Sequence, residues 1–325
     1  MLKQEALQIL RDPTFNIEEE ILKLKKEKNV VLLAHYYQEN EIQDIADFIG
    51  DSYALSKKAK ETSADIILFA GVKFMAETAK ILNPTKKVLV PDLNAGCSLE
   101  SSCQPNEFKK FRELHPNHIA ITYINCSAEI KALSDIICTS SNVLSILEKL
   151  PKDEKIIFAP DKFLGDYINK KTGRDMILWN GSCIIHERFS EQELIKLTIK
   201  HPKAHVIAHP ECPESLLRHT NNIGSTSYLL NFVKQRQGEE FIILTESGII
   251  HQMKKENPTA RFYSVPYLEK DGLDCINCNN CHFMRLNTME KIFLTLATEE
   301  NEITIPEEIR LKAEKSLNKM LELAV

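Results

Sequence analysis

The sequence lacks an excess of positive charge. Lysine and arginine together number 41 against 46 aspartates and glutamates, so the net charge is −5 at pH 7. A protein that binds nucleic acid normally carries clustered positive charge, because it lies against a phosphate backbone. No run of like charges is typical of an interaction tail either. We therefore expect no nucleic-acid partner.

The sequence also lacks a long hydrophobic run. Its longest apolar stretches, 66–72 and 241–245, are much shorter than the roughly 20 residues of a membrane-spanning helix. The first residues have none of the basic start, apolar segment and small-residue cleavage site that define a signal peptide. We therefore expect a cytoplasmic protein with no membrane association.

Cysteine, by contrast, is well represented. The chain has nine cysteines, and thiols stay reduced in the cytoplasm. In that setting, cysteines favour metal binding or catalysis over a disulfide framework. We therefore predict that some of them are metal ligands or catalytic groups.

Short apolar runs alternate with helical patterns along the whole chain. This alternation is typical of parallel α/β proteins. Three of the runs end in similar polar loops, and the pattern of strands repeats from each of them at a spacing of roughly 85–90 residues. These runs are 30–38, 119–127 and 205–213. Each copy contains four predicted strands.

We predict an α/β fold of three homologous parallel-sheet αβα units around a pseudo-threefold axis. The predicted boundaries are an N-terminal helical segment at 1–29 and units at 30–116, 117–203 and 204–325, the last with the C-terminal helices. Parallel sheets bind ligands at the carboxyl ends of their strands. The loops of the three units should therefore face one another at that edge.

A cysteine follows the fourth predicted strand of each unit. The first two units contribute Cys97 and Cys183, and the third contributes the triplet Cys275, Cys278 and Cys281. One thiolate from each unit could bind zinc with an open position, or a [4Fe–4S] cluster in which one iron lacks a protein ligand. Spacing alone leaves open which member of the triplet takes part.

The triplet also allows interpretations of its own. Its spacing resembles that of a ferredoxin, but the expected fourth cysteine and proline are absent. All three thiols could hold one metal and leave Cys97 outside the site. Alternatively, Cys275 and Cys278 could be spare thiols or a redox-active pair, because a Cys-x-x-Cys pair often has a lowered thiol pKa.

Residues suited to acid–base chemistry follow the first strand of each unit, and one more follows Cys183. They are His35, Tyr37, Tyr123, Asn125, His186, His209 and Glu211. Such side chains transfer protons or donate hydrogen bonds to a substrate. Ser52, Ser140 and Thr226 recur at equivalent places near predicted helix N-termini, which favour anions. The set predicts a ligand with several negative charges, such as carboxylates plus phosphate.

Several short motifs, taken together, resemble those of the quinolinate synthase family over nearly the whole chain. They are AHYYQ (34–38), DFIGDS (47–52), GVKFMAE (71–77), NAGCSL (94–99), TYIN (122–125), TSSN (139–142), WNGSCIIH (179–186), AHPEC (208–212), GSTS (224–227), TESG (245–248) and CHFMRLN (281–287). The resemblance implies three α/β domains about a pseudo-threefold axis. It also implies a [4Fe–4S] cluster held by one cysteine per domain, here Cys97, Cys183 and Cys281. One departure is His282, because many members have proline after the last of these cysteines.

The resemblance further implies a reaction. The family condenses iminoaspartate with dihydroxyacetone phosphate to give quinolinate, phosphate and two waters in the de novo biosynthesis of NAD. An open iron of the cluster would act as a Lewis acid. The family also implies a functional partner that supplies iminoaspartate, either an aspartate oxidase or an aspartate dehydrogenase.

Roles for individual side chains follow from residue type and from the match to the family. Glu211 and Tyr37 are predicted to be the main acid–base pair, with Tyr123 assisting. Histidines are predicted to orient substrate oxygens, namely His35, His186 and His209. Carboxylates and phosphate are predicted to be held by Ser52, Asn125, Ser140 and Thr226, and further substrate contacts by His35, Tyr123, His209 and Glu211.

Two alternative functions use the same residues. An iron–sulfur hydro-lyase would act on a hydroxy acid through the same open iron, without phosphate chemistry. A non-enzymatic redox sensor or cluster carrier would use the cysteine triplet without turning over a small molecule. The density of acid–base residues in equivalent loops argues against the second alternative.

Overall fold

The computed structural model describes residues 1–267 and 279–324. Cys275 and Cys278 lie outside the described residues, so their roles stay predictions. Within the described part, three four-stranded sheets follow one another along the chain, each flanked by helices. No helix in that part is both long enough and apolar enough to cross a lipid bilayer.

The elements follow the predicted order. The first unit is preceded by α1 (Lys3–Ile9) and α2 (Ile17–Glu27) and contains β1 (Val30–His35), α3 (Asn40–Ile45), β2 (Phe48–Gly50), α4 (Ser52–Glu61), β3 (Ile66–Ala70), α5 (Lys73–Leu82), β4 (Lys87–Leu89), α6 (Ser98–Ser102) and α7 (Pro105–Leu114). The second contains β5 (Ile119–Tyr123), α8 (Ala128–Ala132), β6 (Ile136–Cys138), α9 (Val143–Glu148), β7 (Ile156–Ala159), α10 (Lys162–Thr172), β8 (Ile177–Leu178), a 3₁₀ turn (His186–Arg188) and α11 (Glu191–Lys200). The third contains β9 (His205–Ala208), α12 (Glu214–Leu217), β10 (Asn222–Ile223), α13 (Thr226–Lys234), β11 (Glu240–Leu244), α14 (Ile249–Glu256) and β12 (Arg261–Ser264), followed by a 3₁₀ turn (Met284–Leu286), α15 (Met289–Thr298) and α16 (Glu307–Leu323).

The three sheets share one topology. Their strand orders are β2-β1-β3-β4, β6-β5-β7-β8 and β10-β9-β11-β12, and all the paired strands are parallel. The same order in three consecutive segments confirms the predicted triplication. Parallel neighbours need crossover connections, and the crossover helices cover the sheet faces. For that reason every residue of β1 and β3 is buried, and their sequences are almost purely apolar.

The first strand of each unit stops where its apolar run meets a polar residue. β1 ends at His35, β5 ends at Tyr123, and β9 ends one residue before His209. His35 lies in register with Gly50 at the end of β2, and Tyr123 lies in register with Cys138 at the end of β6. Parallel pairing therefore places the first and second loops of a unit side by side at one edge of its sheet.

The C-terminal helices pack on the first two units. α15 packs on α2, and its Phe293 and Leu296 lie in a hydrophobic core with β1 and β3. α16 packs on α8, where Ser316 Oγ donates to the carbonyl of Lys131 at 2.7 Å. These two helices therefore tie the end of the chain to the first and second units.

Candidate active site

The carboxyl ends of the three sheets surround one cavity, here called the shared cavity, to which every unit contributes lining residues. This place is the one expected for ligand binding by parallel sheets. All the predicted site residues line it: His35, Tyr37, Ser52, Cys97, Tyr123, Asn125, Ser140, Cys183, His186, His209, Glu211, Thr226 and Cys281. The structure thus brings the whole predicted set together, while the roles of its members stay predictions.

The three cysteines of the shared cavity occupy equivalent places in the backbone. In each unit, a residue just beyond the third strand donates its backbone N–H to the carbonyl two residues before the cysteine. The three pairs are Lys73 to Ala95 at 2.6 Å, Lys162 to Gly181 at 2.9 Å, and Ser247 to Asn279 at 3.0 Å. Backbone geometry therefore makes Cys281 the counterpart of Cys97 and Cys183.

A tight turn follows each of these cysteines. The carbonyl of the cysteine accepts the N–H of the residue four positions further on, at 2.9 Å for Cys97, 3.0 Å for Cys183 and 3.1 Å for Cys281. Each cysteine is thus held from both sides by backbone hydrogen bonds. Two of the loops are also joined to each other, because the N–H of Ile184 donates to Ser98 Oγ at 3.2 Å.

These thiols are costly to ionise in the protein alone. Burial raises the pKa of Cys281 to about 11, and it raises the pKa values of Cys97 and Cys183 even further above the ordinary value. A negative charge on Cys281 further raises the pKa of Cys97. Negative charges on Cys97 and Cys281 further raise the pKa of Cys183. A bound metal stabilises thiolates and reverses such a cost. Three converging thiols therefore fit a cationic metal centre.

A different group of donors lies closer together than the three cysteines do. Among the described residues, Cys183 Sγ, a ring nitrogen of His186 and a carboxylate oxygen of Glu211 lie within 4.8 Å of one another. Zinc bound by three thiolates at about 2.3 Å would need an equally compact set of sulfurs, and the described cysteines do not form one. The cysteine trio thus fits a larger centre better than it fits a single zinc ion.

Glu211 lies fully enclosed at the centre of a hydrogen-bonded group. Tyr123 Oη donates to its Oε1 at 2.6 Å, and His186 Nδ1 lies 2.9 Å from its Oε2. Burial opposes the charge of Glu211. The imidazoles of His209 and His186 and the hydrogen bonds from His186 and Tyr123 outweigh burial, so the pKa of Glu211 lies well below its ordinary value. Glu211 is therefore an ionised carboxylate near neutral pH.

Thr245 extends this group to Tyr37. Its Oγ1 lies 2.9 Å from His186 Nε2 and 2.7 Å from Tyr37 Oη. Burial is the main cause that raises the pKa values of Tyr37 and Tyr123 well above the ordinary value, and the charge of Glu211 adds to the rise at both. Both phenols stay protonated near neutral pH, so they can act as proton donors.

His35 and His209 are held in one tautomer by equivalent contacts. The backbone N–H of Tyr37 donates to His35 Nδ1 at 3.2 Å, and that of Glu211 donates to His209 Nδ1 at 3.4 Å. Burial lowers the pKa of each imidazole to about 4. Both rings are therefore neutral near pH 7, with the proton on Nε2. The Nε2 of His209 lies 3.2 Å from Ser140 Oγ.

Comparison with known proteins decides the family. A family model described as Quinolinate synthetase A protein matches residues 19–322. The chain is 58% identical over 306 residues to the quinolinate synthase of Trichodesmium erythraeum, which covers 94% of this chain and 93% of the relative. The chain belongs to the quinolinate synthase family. The enzymes of Synechocystis sp. and Ehrlichia chaffeensis agree, at 57% identity over 301 residues (93% of each chain) and 56% over 306 residues (94% of this chain and 97% of the relative).

Membership of the quinolinate synthase family confirms the resemblance drawn from the motifs. The family is one of enzymes, and the comparisons favour neither the hydro-lyase nor the redox-carrier alternative. The shared cavity is accordingly the candidate active site of a quinolinate synthase family enzyme. Its cysteine, histidine and carboxylate donors are compatible with a metal cofactor.

In this quinolinate synthase family member, the three hydroxyl residues lie at or near helix N-termini. Ser52 and Thr226 are the first residues of α4 and α13, and the capping side chains are those of Asp51 and Ser225. Ser140 lies in the turn before α9, two residues ahead of the N-cap position Asn142. The hydroxyls of Ser52 and Thr226 are thus not used as caps, although both residues line the shared cavity.

Sequence reasoning missed three residues of the site. Asp51 accepts hydrogen bonds from Ser141 Oγ and Ser227 Oγ, each at 2.6 Å, and so joins the second loops of all three units. Thr245 joins Tyr37 to His186, and Glu246 lines the shared cavity beside Cys281. Asp51 lies in the DFIGDS motif, and Thr245 and Glu246 lie in TESG, which are the only sequence signals for them.

Proposed function

We propose that this chain is a quinolinate synthase that condenses iminoaspartate with dihydroxyacetone phosphate. The products are quinolinate, inorganic phosphate and two waters, so the reaction balances without an oxidant or a reductant. The observation that carries the proposal is the convergence of three equivalent cysteines and an acid–base group in one cavity. The similarity to quinolinate synthases over almost the whole chain supports it.

Cys97, Cys183 and Cys281 are the residues that would hold a [4Fe–4S] cluster. When bound through three thiolates, the cluster supplies an iron without a protein ligand, which is a Lewis acid for a substrate oxygen. The equivalent backbone contacts of the three cysteines support this choice of ligands. Their raised thiol pKa values support a strongly cationic partner.

Neutral hydrogen-bond donors would anchor the anionic substrates. Iminoaspartate has two carboxylates and the triose has a phosphate, and hydrogen bonds to charged groups are the stronger ones. The hydroxyls of Ser52, Ser140 and Thr226 and the Nε2–H of His35 are suited to this task. Asn125 Oδ1 is buried and has no hydrogen-bond partner among the described residues. It could accept a hydrogen bond from an imine N–H or a triose hydroxyl.

The tyrosines and Glu211 would handle protons. Loss of phosphate requires removal of a proton next to the triose carbonyl, and ring closure requires isomerisation, imine formation and dehydration. Tyr37 and Tyr123 are both protonated. They would donate a proton to a substrate oxygen that departs as a leaving group, or to one on which negative charge develops. Because its pKa is held low, Glu211 would orient the His186 imidazole and the Tyr123 hydroxyl through its two oxygens, and would accept a proton only as part of that group.

The cellular setting is also part of the proposal. We place the reaction in the cytoplasm, because nine cysteines suit a compartment that keeps thiols reduced. The imine substrate is an oxidised form of aspartate. An aspartate oxidase or an aspartate dehydrogenase would therefore supply it.

The proposal is tested by anaerobic purification, an absorption spectrum, and iron and quinolinate assays. Wild type should be brown, contain about four irons per chain, and form quinolinate. Replacing Cys97, Cys183 or Cys281 by alanine should abolish both the cluster and activity. Cys103→Ala is the control, because Cys103 is buried in the core and is not among the residues that line the shared cavity. A cluster that survives the loss of Cys97 would overturn the ligand assignment, and a cluster-loaded protein without quinolinate formation would overturn the activity.

A further inference from the structure

A repeated position lies just beyond the third strand of each unit. Two residues after the ends of β3, β7 and β11 come Val72, Asp161 and Glu246. All three are buried, and the two acids are almost fully so, with 0% of Asp161 and 1% of Glu246 exposed. A carboxyl group is seldom buried to this extent unless its oxygens are hydrogen-bonded or paired. The second and third units thus each have a buried carboxyl group, which lowers the free energy of unfolding unless it is hydrogen-bonded, where the first unit has valine.

Glu246 uses one oxygen to hold the segment around Cys281 and the other to hold the turn that follows Glu246 itself. Oε1 accepts the backbone N–H of Cys281 at 3.1 Å, and Oε2 accepts that of Gly248 at 2.7 Å. Arg285 Nη2 also donates to Oε1, at 3.1 Å. Because the N–H of Arg285 closes the turn that follows Cys281, Glu246 contacts both ends of that turn.

Asp161 has a matching place beside Cys183. Its Oδ1 accepts the N–H of Leu164 at 2.8 Å, which caps α10. Its Oδ2 is buried and has no partner at hydrogen-bonding distance among the described residues. Asp161 also forms an isolated parallel bridge with Gly181, two residues before the cysteine.

We propose that Asp161 and Glu246 are positioning residues for the cysteines of their own units, Cys183 and Cys281. Glu246 holds the N–H of Cys281 directly. Asp161 fixes the start of α10, whose Lys162 N–H donates to the carbonyl of Gly181, two residues before Cys183. Both thiols are thereby directed to the shared cavity before any cluster is bound. The inference rests on the proposed function in that these thiols are taken to be cluster ligands. The first unit needs no such acid, because α6 begins directly after Cys97 and continues its turn as a regular helix.

The repeat itself supplies the substitution for a test. Asp161→Val and Glu246→Val place the residue of the first unit in the other two. In cluster-free protein, alkylation of each cysteine is followed by mass spectrometry. We expect Glu246→Val to increase the labelling rate of Cys281 by about tenfold, and Asp161→Val to do the same for Cys183, because an unpaired buried N–H favours local opening. Cys97 is the internal control and should label at the wild-type rate in both variants.

A second readout follows the cluster. The reconstituted valine variants should lose iron to a chelator about tenfold faster than wild type. Glu246→Gln and Asp161→Asn keep an acceptor oxygen and should restore most of the wild-type rate. Glu39→Gln is a matched control, because Glu39 pairs with Arg285 Nη1 at 3.0 Å from the opposite side and is half exposed. It should leave the labelling of Cys281 unchanged.

Two outcomes would overturn the inference: unchanged labelling of Cys183 and Cys281, or an equal rise at all three cysteines, which would indicate a general loosening of the fold. If Glu246→Val does not fold, Glu246→Asp replaces it. That variant keeps the charge but withdraws the carboxylate from Cys281, and an unchanged labelling rate would again contradict the inference. A wild-type protein that binds no cluster would refute the proposed function. The labelling rates of Cys183 and Cys281 in cluster-free protein would still test the positioning role of Asp161 and Glu246.

Discussion

At the scale of single residues, a chain of hydrogen bonds links two tyrosines from different units. Tyr37 contacts Thr245, Thr245 contacts His186, His186 contacts Glu211, and Glu211 accepts from Tyr123. Both ends are protonated phenols, and the carboxylate near one end is ionised. Tyr37 and Tyr123 are therefore connected through three intervening side chains, so that a change at one phenol alters the hydrogen bonding of the other.

Two members of this hydrogen-bonded chain, Glu211 and Tyr37, give the first prediction. Glu211→Gln removes the charge that faces His186, and Tyr37→Phe removes the hydroxyl that faces Thr245. Each variant should lower the rate of quinolinate formation by at least about 100-fold, as expected for the loss of an acid–base group. Neither residue is a proposed cluster ligand, so the iron content should stay at the wild-type value. Steady-state assays and iron analysis on the same samples measure both.

Matched controls separate these effects from general damage. Tyr36→Phe changes the neighbouring tyrosine, which is not among the residues lining the shared cavity, and Glu214→Gln changes an exposed acid that pairs with Lys170. Both should retain activity within a few-fold of wild type. Near-normal turnover in Glu211→Gln or Tyr37→Phe would remove that residue from the proposed mechanism.

The limits of sequence reasoning are visible at the same scale. His35, Tyr123 and His209 could be found from the sequence, because each stands where an apolar strand ends and parallel strands end at one edge. Thr245 could not, because its partners Tyr37 and His186 come from two other units. Only the closure of the units around the shared cavity brings these side chains together.

At the scale of elements, the repeat was predictable and the packing of the terminal helices was not. The predicted strands of each unit appear in the predicted order, because buried parallel strands have a strong apolar pattern. The exact unit boundaries stay predictions. The amphipathic pattern of α16 indicates that it packs on something, but nothing in its sequence indicates α8 as the surface that it covers.

That contact gives a second prediction, with a control on the same helix. Leu317 is fully buried between α16 and the second unit, whereas Leu311 is 47% exposed. Leu317→Ala should lower the free energy of unfolding by about 2–5 kcal/mol, the usual cost of a buried leucine-to-alanine cavity. Leu311→Ala should cost less than about 1 kcal/mol. Urea unfolding of the cluster-free protein measures both, and equal effects would show that α16 does not pack as described.

At the scale of the whole molecule, folding buries ionisable groups whose pKa values shift in opposite directions. Burial lowers the pKa values of His35 and His209 to about 4, while it raises the pKa values of Glu100 and Glu246 to about 7. In the unfolded chain, the same histidines titrate near pH 6.5 and the acids near 4.3. The two sets therefore change stability in opposite directions as the pH falls.

The histidine contribution can be isolated by substitution, which gives the last prediction. Between pH 6.5 and 4, the unfolded chain binds protons at His35 and His209 that the folded chain does not, so each histidine destabilises the fold as the pH falls through this range. At pH 5, the loss relative to pH 7 is about 2 kcal/mol for each histidine. His35→Gln and His209→Gln should each remove the contribution of one histidine. The free energy of unfolding of either variant should therefore fall less than that of wild type between pH 7 and 5.

His115→Gln, a change outside the shared cavity, is the control and should show the same loss of free energy of unfolding between pH 7 and 5 as wild type. Because the acids are unchanged in all four proteins, their opposite contribution cancels in the comparison, and a histidine variant with the wild-type pH dependence would show that its imidazole is not held neutral by burial.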